Sequence, residues 1–530
     1  MCPRAADPAD STLLRAGGSV AVATLVSRAT GFVRTLAIVA TIGLGLVNSS
    51  YTVANTLPTS IYQLLLGGVL TSVVVPVLVR AAREDGDDGE AFAHRLLSVA
   101  AVGLGVATVL ATAAAPWLVG LYLTSDDPAG ARLAVAFAYL LLPEIFFYGM
   151  GAVFGAMLNA RGVFGPAAWA PVLNNVVVLA ALGVYWLLPA PASGISTAQL
   201  LVLGIGTTLG IVVQAAAIVP ALRRTGFRWR WRWGWDRRLS AFGGLAAWVV
   251  GYVLISQVAL AVTNRVASAA DDAAIAIYAN AWLLIQVPYG ILGVSLLTVL
   301  MPRMSAAAAD GRTDRVVADL SLGSRLSAVA LLPISAVLTV FGPALGTALF
   351  SVGRSGGDGA ALLGQTLAVS AFGLLPLAVV MLQMRVFYAL ADARTPTFVM
   401  VVMTVVKVPL LLAVPAFLPP DRVVLGLAAV NAAGFVVGAV VGAVWLRVRL
   451  GRLDTVRVVR TSWRTGVASA AGAVLALLAM TGADRLLGIP PLGQAWLDLL
   501  AGSALALVLA VLGMRLLRVR ELDDVVARFR

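Results

Sequence analysis

Apolar residues along this chain neither alternate with polar ones nor mark a single helical stripe; they come in long runs separated by short polar segments. From about Gly18 to near the C-terminus each run is long enough for the roughly 20 residues that span a hydrocarbon core. Within lipid, only helices and closed barrels satisfy every backbone hydrogen bond. The runs lack the alternation of barrel strands, so helices are expected at approximately 18–46, 51–79, 96–123, 132–160, 166–189, 198–222, 239–266 and 273–302. Six more are expected near 323–350, 360–389, 397–418, 422–446, 465–481 and 495–514. The expected fold is an all-α polytopic membrane protein of about 14 transmembrane helices.

Composition agrees: 60% of the 530 residues are hydrophobic, 12% are charged, and the mean hydropathy is +0.95, beyond what a water-facing surface tolerates. The first apolar run is longer than a signal-peptide core, and no A-x-A site closes it, so it is expected to stay in the mature chain. The single cysteine, Cys2, excludes an intrachain disulfide. The single histidine, His94, leaves no His/Cys cluster with metal spacing. No metal, cofactor or enzymatic chemistry is expected. Gly204, Gly206 and Gly210 superficially resemble a nucleotide fingerprint, yet they lie in an apolar run with no strand before it. They read as small residues for helix packing, as do Gly434, Gly438 and Gly442.

Placing the N-terminus in the cytoplasm puts 29 arginines in inside segments and about five outside: Arg132, Arg265, Arg354, Arg422 and Arg485. That bias predicts a cytoplasmic-membrane protein with both termini inside. Topology and anionic lipid then account for the net charge of +13 without nucleic acid. In the densest run, Arg223 to Arg238, Trp229, Trp231, Trp233 and Trp235 alternate with arginines, a composition suited to the inner interface.

Phe154, Ala156, Ala160 and Arg161 before Pro166 match Phe387, Ala389, Ala393 and Arg394 before Pro396 at an offset of 233; the proline anchors give 230. Val75-Pro76 then Arg80 echoes Met301-Pro302-Arg303. Two pseudo-symmetric six-helix lobes are expected, 18–222 and 239–446, joined by a 223–238 linker. A C-terminal helix pair with its basic loop would occupy 447–514, and cytoplasmic tails 1–17 and 515–530. Six helices separate the halves, so the repeat is parallel, an arrangement that encloses a central site and rocks about it. No P-loop is present, leaving a coupling ion, the membrane potential or a downhill gradient as the energy source.

Charge within a span is expensive and marks a cavity or a pathway. Arg28 and Arg34 lie deep in the first run with Gly31 between them, about 9 Å apart along the axis. Two permanent cations suit a diphosphate; the alternative for Arg28 is snorkelling or structural pairing. Lys407, the only lysine, sits mid-run before Pro409 as a cavity cation or a structural group. Asn55 and Asn174 complete the candidate substrate-binding set. Glu144, after Pro143, is a candidate for proton coupling or a structural hydrogen bond. Arg265, near the outer end of its helix, is an exit-gate candidate or a headgroup contact.

Ser27-Arg28-Ala-Thr-Gly31-Phe32-Val-Arg34, Leu57-Pro58 and Val75-Pro76 resemble the N-terminal signature of the MurJ/MviN family. Asn159 to Phe164, Pro171 to Asn174, Pro288-Tyr-Gly290 to Pro302, and Val386 to Ala389 with Thr395-Pro396 are similar to the same family. The near-absence of lysine points to a GC-rich genome, and the sequence as a whole most resembles actinobacterial members of the family. The resemblance implies a polysaccharide-exporter-superfamily fold whose last two helices border a lipid-tail groove. It also implies alternating-access transport of lipid II, with Arg28 and Arg34 on the family's cavity arginines and cell-wall synthesis or division proteins as further partners. Thr35 and Ser49 stand where the family carries acids, and Tyr62, Gln63 and Leu283 where it carries arginines. The rivals are a flippase for another lipid-linked oligosaccharide, a cation-coupled drug exporter and a non-transporting scaffold. Fourteen helices and two deep arginines count against the exporter, and short loops against the scaffold.

Overall fold

The computed structural model describes residues 8–64, 89–124, 128–189, 194–234, 243–390 and 392–522, with a few isolated positions besides. Val75, Pro76, Arg80, Arg83, Trp235 and the tail beyond Leu522 lie outside the described residues. Regular structure among the described residues is entirely helical. The helices are α1 (Pro8–Ile42), α2 (described over Leu46–Leu64), α3 (Glu90–Ala113), α4 (Pro128–Ala160), α5 (Gly165–Leu187), α6 (Thr197–Arg224) and α7 (Gly243–Ala270). They continue with α8 (Ala274–Pro288 and Val294–Ala309), α9 (Thr313–Phe350), α10 (Gly357–Ala389), α11 (Arg394–Phe417), α12 (Val423–Leu450), α13 (Thr455–Leu487) and α14 (Pro491–Leu516). Among the described residues, thirteen spans are long and apolar enough to cross a bilayer, and α2 is described over only 19 residues, Leu46–Leu64, so the count is close to the fourteen expected.

Three helices begin about ten residues before their apolar runs: α1 at Pro8, α9 at Thr313 and α13 at Thr455, against the expected 18, 323 and 465. Hydropathy marks the part of a helix inside hydrocarbon, and the hydrogen-bond ladder continues through the polar turns that carry it to water. Proline explains two interruptions. Pro143, which has no N–H to donate, separates Pro128–Leu141 from Glu144–Ala160 within α4. Pro288 precedes the π-helical turn Tyr289–Gly293 in α8.

The chain forms two compact units, one of Met1–Ile42 and Leu46–Val253 and one of Gly43–Gly45 and Leu254–Arg530, the main division falling inside α7. In the first, α5 packs on α1 and α6, and α6 on α4; in the second, α9 packs on α10, α10 on α12, and α11 on α12. The C-terminal pair α13 and α14 pack on each other and along α9. Leu97, Met157 and Leu158 centre one core, and Met304, Val386 and Phe387 another. Lipid tails are as apolar as leucine, so exposed Trp186, Leu187 and Phe417 cost nothing, and close backbone approach does the packing. A Cβ on Gly206 would lie 2.3 Å from that of Ala181, and one on Gly346 2.3 Å from the Ala360 carbonyl.

The helix ends give a spacing for the repeat as well. Ala160 ends α4 and Ala389 ends α10, 229 residues later, and α5 and α11 start with the same spacing. This lies one residue from the offset of 230 that the proline anchors give. The Phe/Ala/Ala/Arg match at 233 is displaced by four residues, about one helical turn, which keeps the same face.

Candidate functional site

In the first unit α1 carries Arg28, which is exposed, and Arg34, which is half-buried with its Nε enclosed and unpartnered. Six residues turn a helix by about 240°, so the two arginines leave α1 on different faces. Gly31 lies between them where α5 comes close: Asn175 Nδ2 donates to the Ser27 carbonyl (3.1 Å) and to Thr30 Oγ1 (2.9 Å), 3.5 Å from where a Gly31 Cβ would stand. Asn174 turns instead to α6, its buried Oδ1 against Gly210. Asn55 is half-buried on α2. The departures are placed as well. Thr35 Oγ1 donates to the Gly31 carbonyl, Ser49 is buried and Leu283 on α8 is exposed, whereas the side chains of Tyr62 and Gln63 lie outside the described residues.

Arg34 faces a polar cluster built by α2, α4 and α6, acting electrostatically on both Tyr51 and Glu144. Glu144 has no solvent exposure. Its Oε1 lies 3.2 Å from Thr208 Oγ1, while its Oε2 has no partner. Thr208 Oγ1 is closer to the Leu140 carbonyl, at 2.6 Å, beside the Pro143 break. Thr207 Oγ1 likewise donates to the Leu203 carbonyl at 2.7 Å, so Tyr51 O–H donates to Thr207 at 3.1 Å.

In the second unit Lys407 Nζ donates to Asn431 Oδ1 on α12 (2.6 Å) and sits 5.3 Å from the centre of the Phe435 ring. Trp282 of α8 also stacks on Phe435, with ring centroids 5.6 Å apart. Gly434 makes room for the lysine stem, because a Cβ there would meet Lys407 Cδ at 2.4 Å. A side-chain carbonyl oxygen and an aromatic ring thus hold the ammonium, with no carboxylate paired to it among the described residues. Arg265 is exposed on α7, and its carbonyl accepts from Ser268 Oγ.

Sequence reading missed Thr207, Thr208 and Tyr51 around Glu144, Asn175 beside Gly31, and Asn431 with Phe435 around Lys407. Two signals were present: the doublets Asn174-Asn175 and Thr207-Thr208, and Asn431 as the lone amide in the apolar run of α12. An interfacial linker was expected over 223–238, of which residues up to Gly234 are described. Phe227–Gly234 is a strap without regular structure laid on α3: Arg230 N donates to His94 Nδ1 (3.1 Å), and Arg232 N (3.1 Å) and Trp229 Nε1 (3.4 Å) donate to Ser98 Oγ. Phe227 stacks on His94 at 4.8 Å, and Trp229, Trp231 and Trp233 remain exposed.

The family model described as lipid II flippase MurJ matches residues 38–489, from the last turn of α1 through α13. The chain belongs to the MurJ family. A probable lipid II flippase MurJ of Rhizobium meliloti is 27% identical over 394 residues, covering 73% of this chain and 72% of that protein. The lipid II flippase MurJ of Burkholderia cenocepacia is also 27% identical, over 72% of this chain and 75% of its own length. Among solved structures, a lipid II flippase MurJ in an inward closed conformation superposes with a TM-score of 0.74 at 16% identity, over 94% of this chain and 99% of that one. An inward-facing multidrug-resistance MATE transporter of the MOP superfamily gives 0.63 at 18% identity, over 79% and 94%. These two likenesses establish the fold, which the MurJ family shares with MATE transporters. The family match begins after Arg28 and Arg34, so their role rests on their own chemistry.

Proposed function

We propose that this multi-pass membrane protein is a lipid II flippase, carrying the undecaprenyl-diphosphate-linked peptidoglycan precursor from the inner to the outer leaflet of the cytoplasmic membrane by alternating access. The observation that carries this reading is the MurJ family match over residues 38–489. Transport needs no covalent chemistry from the chain. It needs cations for a diphosphate and an energy input.

Arg28 and Arg34 supply the cations on α1, where guanidinium forks pair with phosphate oxygens in a charge-assisted, bidentate way. Lys407, held by Asn431, is a third cation. Glu144 is the proposed coupling group. One hydroxyl proton serves one acceptor at a time; with the Thr208 proton on the nearer Leu140 carbonyl, a proton on Glu144 completes the contact to Thr208. Loss of that proton leaves a buried carboxylate with Arg34 as its nearest described counter-charge, which gives α1, α4 and α6 a reason to move. The membrane potential acting on the arginines is the competing energy source. The arginine bias supports termini in the cytoplasm.

The test is complementation of a flippase-deficient strain, read as lipid II exposed on the outer leaflet. Restoration by wild type and loss in well-expressed Arg28→Ala is the expected result. Failure of wild type to restore lipid II, with another lipid-linked sugar stalling on depletion, would overturn the substrate. Leu283, 36% exposed on α8 where the family resemblance implies an arginine, is the observation that favours this second substrate class.

A further inference from the structure

Where α9, α13 and the segment after α14 meet, a cavity of about 550 Å3 is lined by Arg325, Arg457, Arg460, Arg464, Arg518 and Arg520. Glu521 is the only carboxylate among its described lining residues. It is already engaged, paired with Arg325 and accepting from Thr461 Oγ1 at 3.3 Å. Arg325 Nε is buried without a partner. Arg457 approaches Asp454 no closer than 3.7 Å, and Arg460, Arg464, Arg518 and Arg520 make no ion pair among the described residues.

Two local rules are broken to assemble these guanidiniums. Arg457, Arg460 and Arg464 follow one another at i, i+3 and i+7 on one face at the start of α13, so they repel each other and oppose the helix dipole, which favours anions at an N-terminus. Arg518 closes α14 in the left-handed region, at φ 53°, with Val519 N bonded to the Met514 carbonyl at 3.0 Å. That pattern ordinarily uses glycine, because a Cβ is strained there. Strain and like charge concentrated in one cavity point to a ligand that relieves both.

The flanks select its source. Val456, Val459 and Trp463 on α13, and Leu516 beyond Arg515, are strongly exposed apolar side chains beside the arginines. This is the composition of a lipid-facing surface ending at head-group level. The geometry points to a binding site for the phosphate head group of an anionic phospholipid, outside the transport site and on the side that the arginine bias places in the cytoplasm. The inference rests on the membrane reading alone, and its test measures binding, so it stands or falls separately from lipid II transport.

Full-length protein in detergent is titrated with phosphatidylglycerol, with phosphatidylcholine and inorganic diphosphate as comparison ligands, and the complexes are counted by native mass spectrometry. Wild type is expected to prefer phosphatidylglycerol to phosphatidylcholine and to retain it in excess diphosphate. Arg464→Gln should weaken phosphatidylglycerol binding about fivefold, the share of one basic side chain at an anionic surface. Arg518→Gly should weaken it similarly while raising the melting temperature, because the left-handed strain goes with the side chain. Unchanged affinity in both variants would overturn the site. Displacement of phosphatidylglycerol by diphosphate would overturn the lipid source in favour of a soluble phosphate.

Discussion

A threonine hydroxyl has one proton, and at Thr208 that proton has two candidate acceptors, the Leu140 carbonyl at 2.6 Å and Glu144 Oε1 at 3.2 Å. Glu144→Gln replaces the proposed carboxyl proton with an amide N–H that donates to Thr208 in the same place. The variant is therefore expected to fold with a melting temperature near that of wild type and to lose the pH dependence of flipping. Lipid II translocation in proteoliposomes at stepped pH reads this directly; a wild-type pH profile in the variant would remove Glu144 from the coupling path. Arg34 is argued on the same scale. Removing a charged hydrogen-bonding group costs about 1.5–3 kcal/mol, so Arg34→Ala should slow flipping roughly ten- to a hundredfold at equal expression, with Arg34→Lys in between because it keeps charge without the fork. The charges were legible in sequence because an ionisable residue inside an apolar run is rare. Tyr51, Thr207 and Thr208 were not: hydroxyls are common in membrane helices, and the fold alone brings Tyr51 to Thr207 across 156 positions.

Between elements, two contacts show what periodicity does not convey. The Arg/Trp segment was legible as interfacial, but the side chains that hold it, His94 and Ser98, sit 130 or more positions upstream on α3. Ser98→Ala deprives Arg232 N of its acceptor, which is worth about 1 kcal/mol. Hydrogen exchange at Arg232 should then rise about fivefold with α3 itself unchanged; equal protection would mean that the His94 contacts to Arg230 N and Phe227 hold the strap without Ser98. At the turn between α10 and α11, Asp392 Oδ1 accepts from Arg394 N and Thr395 N, both at 3.0 Å, and its other oxygen accepts from Thr395 Oγ1 at 2.7 Å and from Arg449 at the end of α12. Partial burial pushes the Asp392 carboxyl up, but the bonds from Thr395 and Arg449 more than offset it and hold it below its ordinary value of 3.8. A lowered folded-state value means that this turn stabilises the protein above pH 3.8 and that the contribution is lost as the pH falls through the lower value. Thermal unfolding at stepped acid pH should be less pH-dependent in Asp392→Asn than in wild type.

At the scale of the whole molecule, the helix count was legible because each span in lipid must be a self-satisfied helix of nearly fixed length. The helix ends were not, since α1, α9 and α13 run on through polar turns that hydropathy ignores. Orientation is a different kind of property. It follows from which loops hold arginine, and 29 against about five is a bias that one misplaced loop cannot reverse. The sequence is suited to a direct check because Cys2 is its only cysteine. In a Cys2→Ser background, Asp310→Cys places a thiol between α8 and α9 on the expected cytoplasmic side, and Asp421→Cys places one between α11 and α12 on the opposite side. Both native side chains are well exposed, at 56% and 73%, so a membrane-impermeant maleimide is limited by sidedness and not by burial. Labelling of Asp421→Cys in intact spheroplasts, with Asp310→Cys labelled only after permeabilisation, is the expected outcome. The reverse pattern would invert every loop at once, put the arginine cavity beside α13 on the outer face, and reverse the direction in which the membrane potential acts on Arg28 and Arg34.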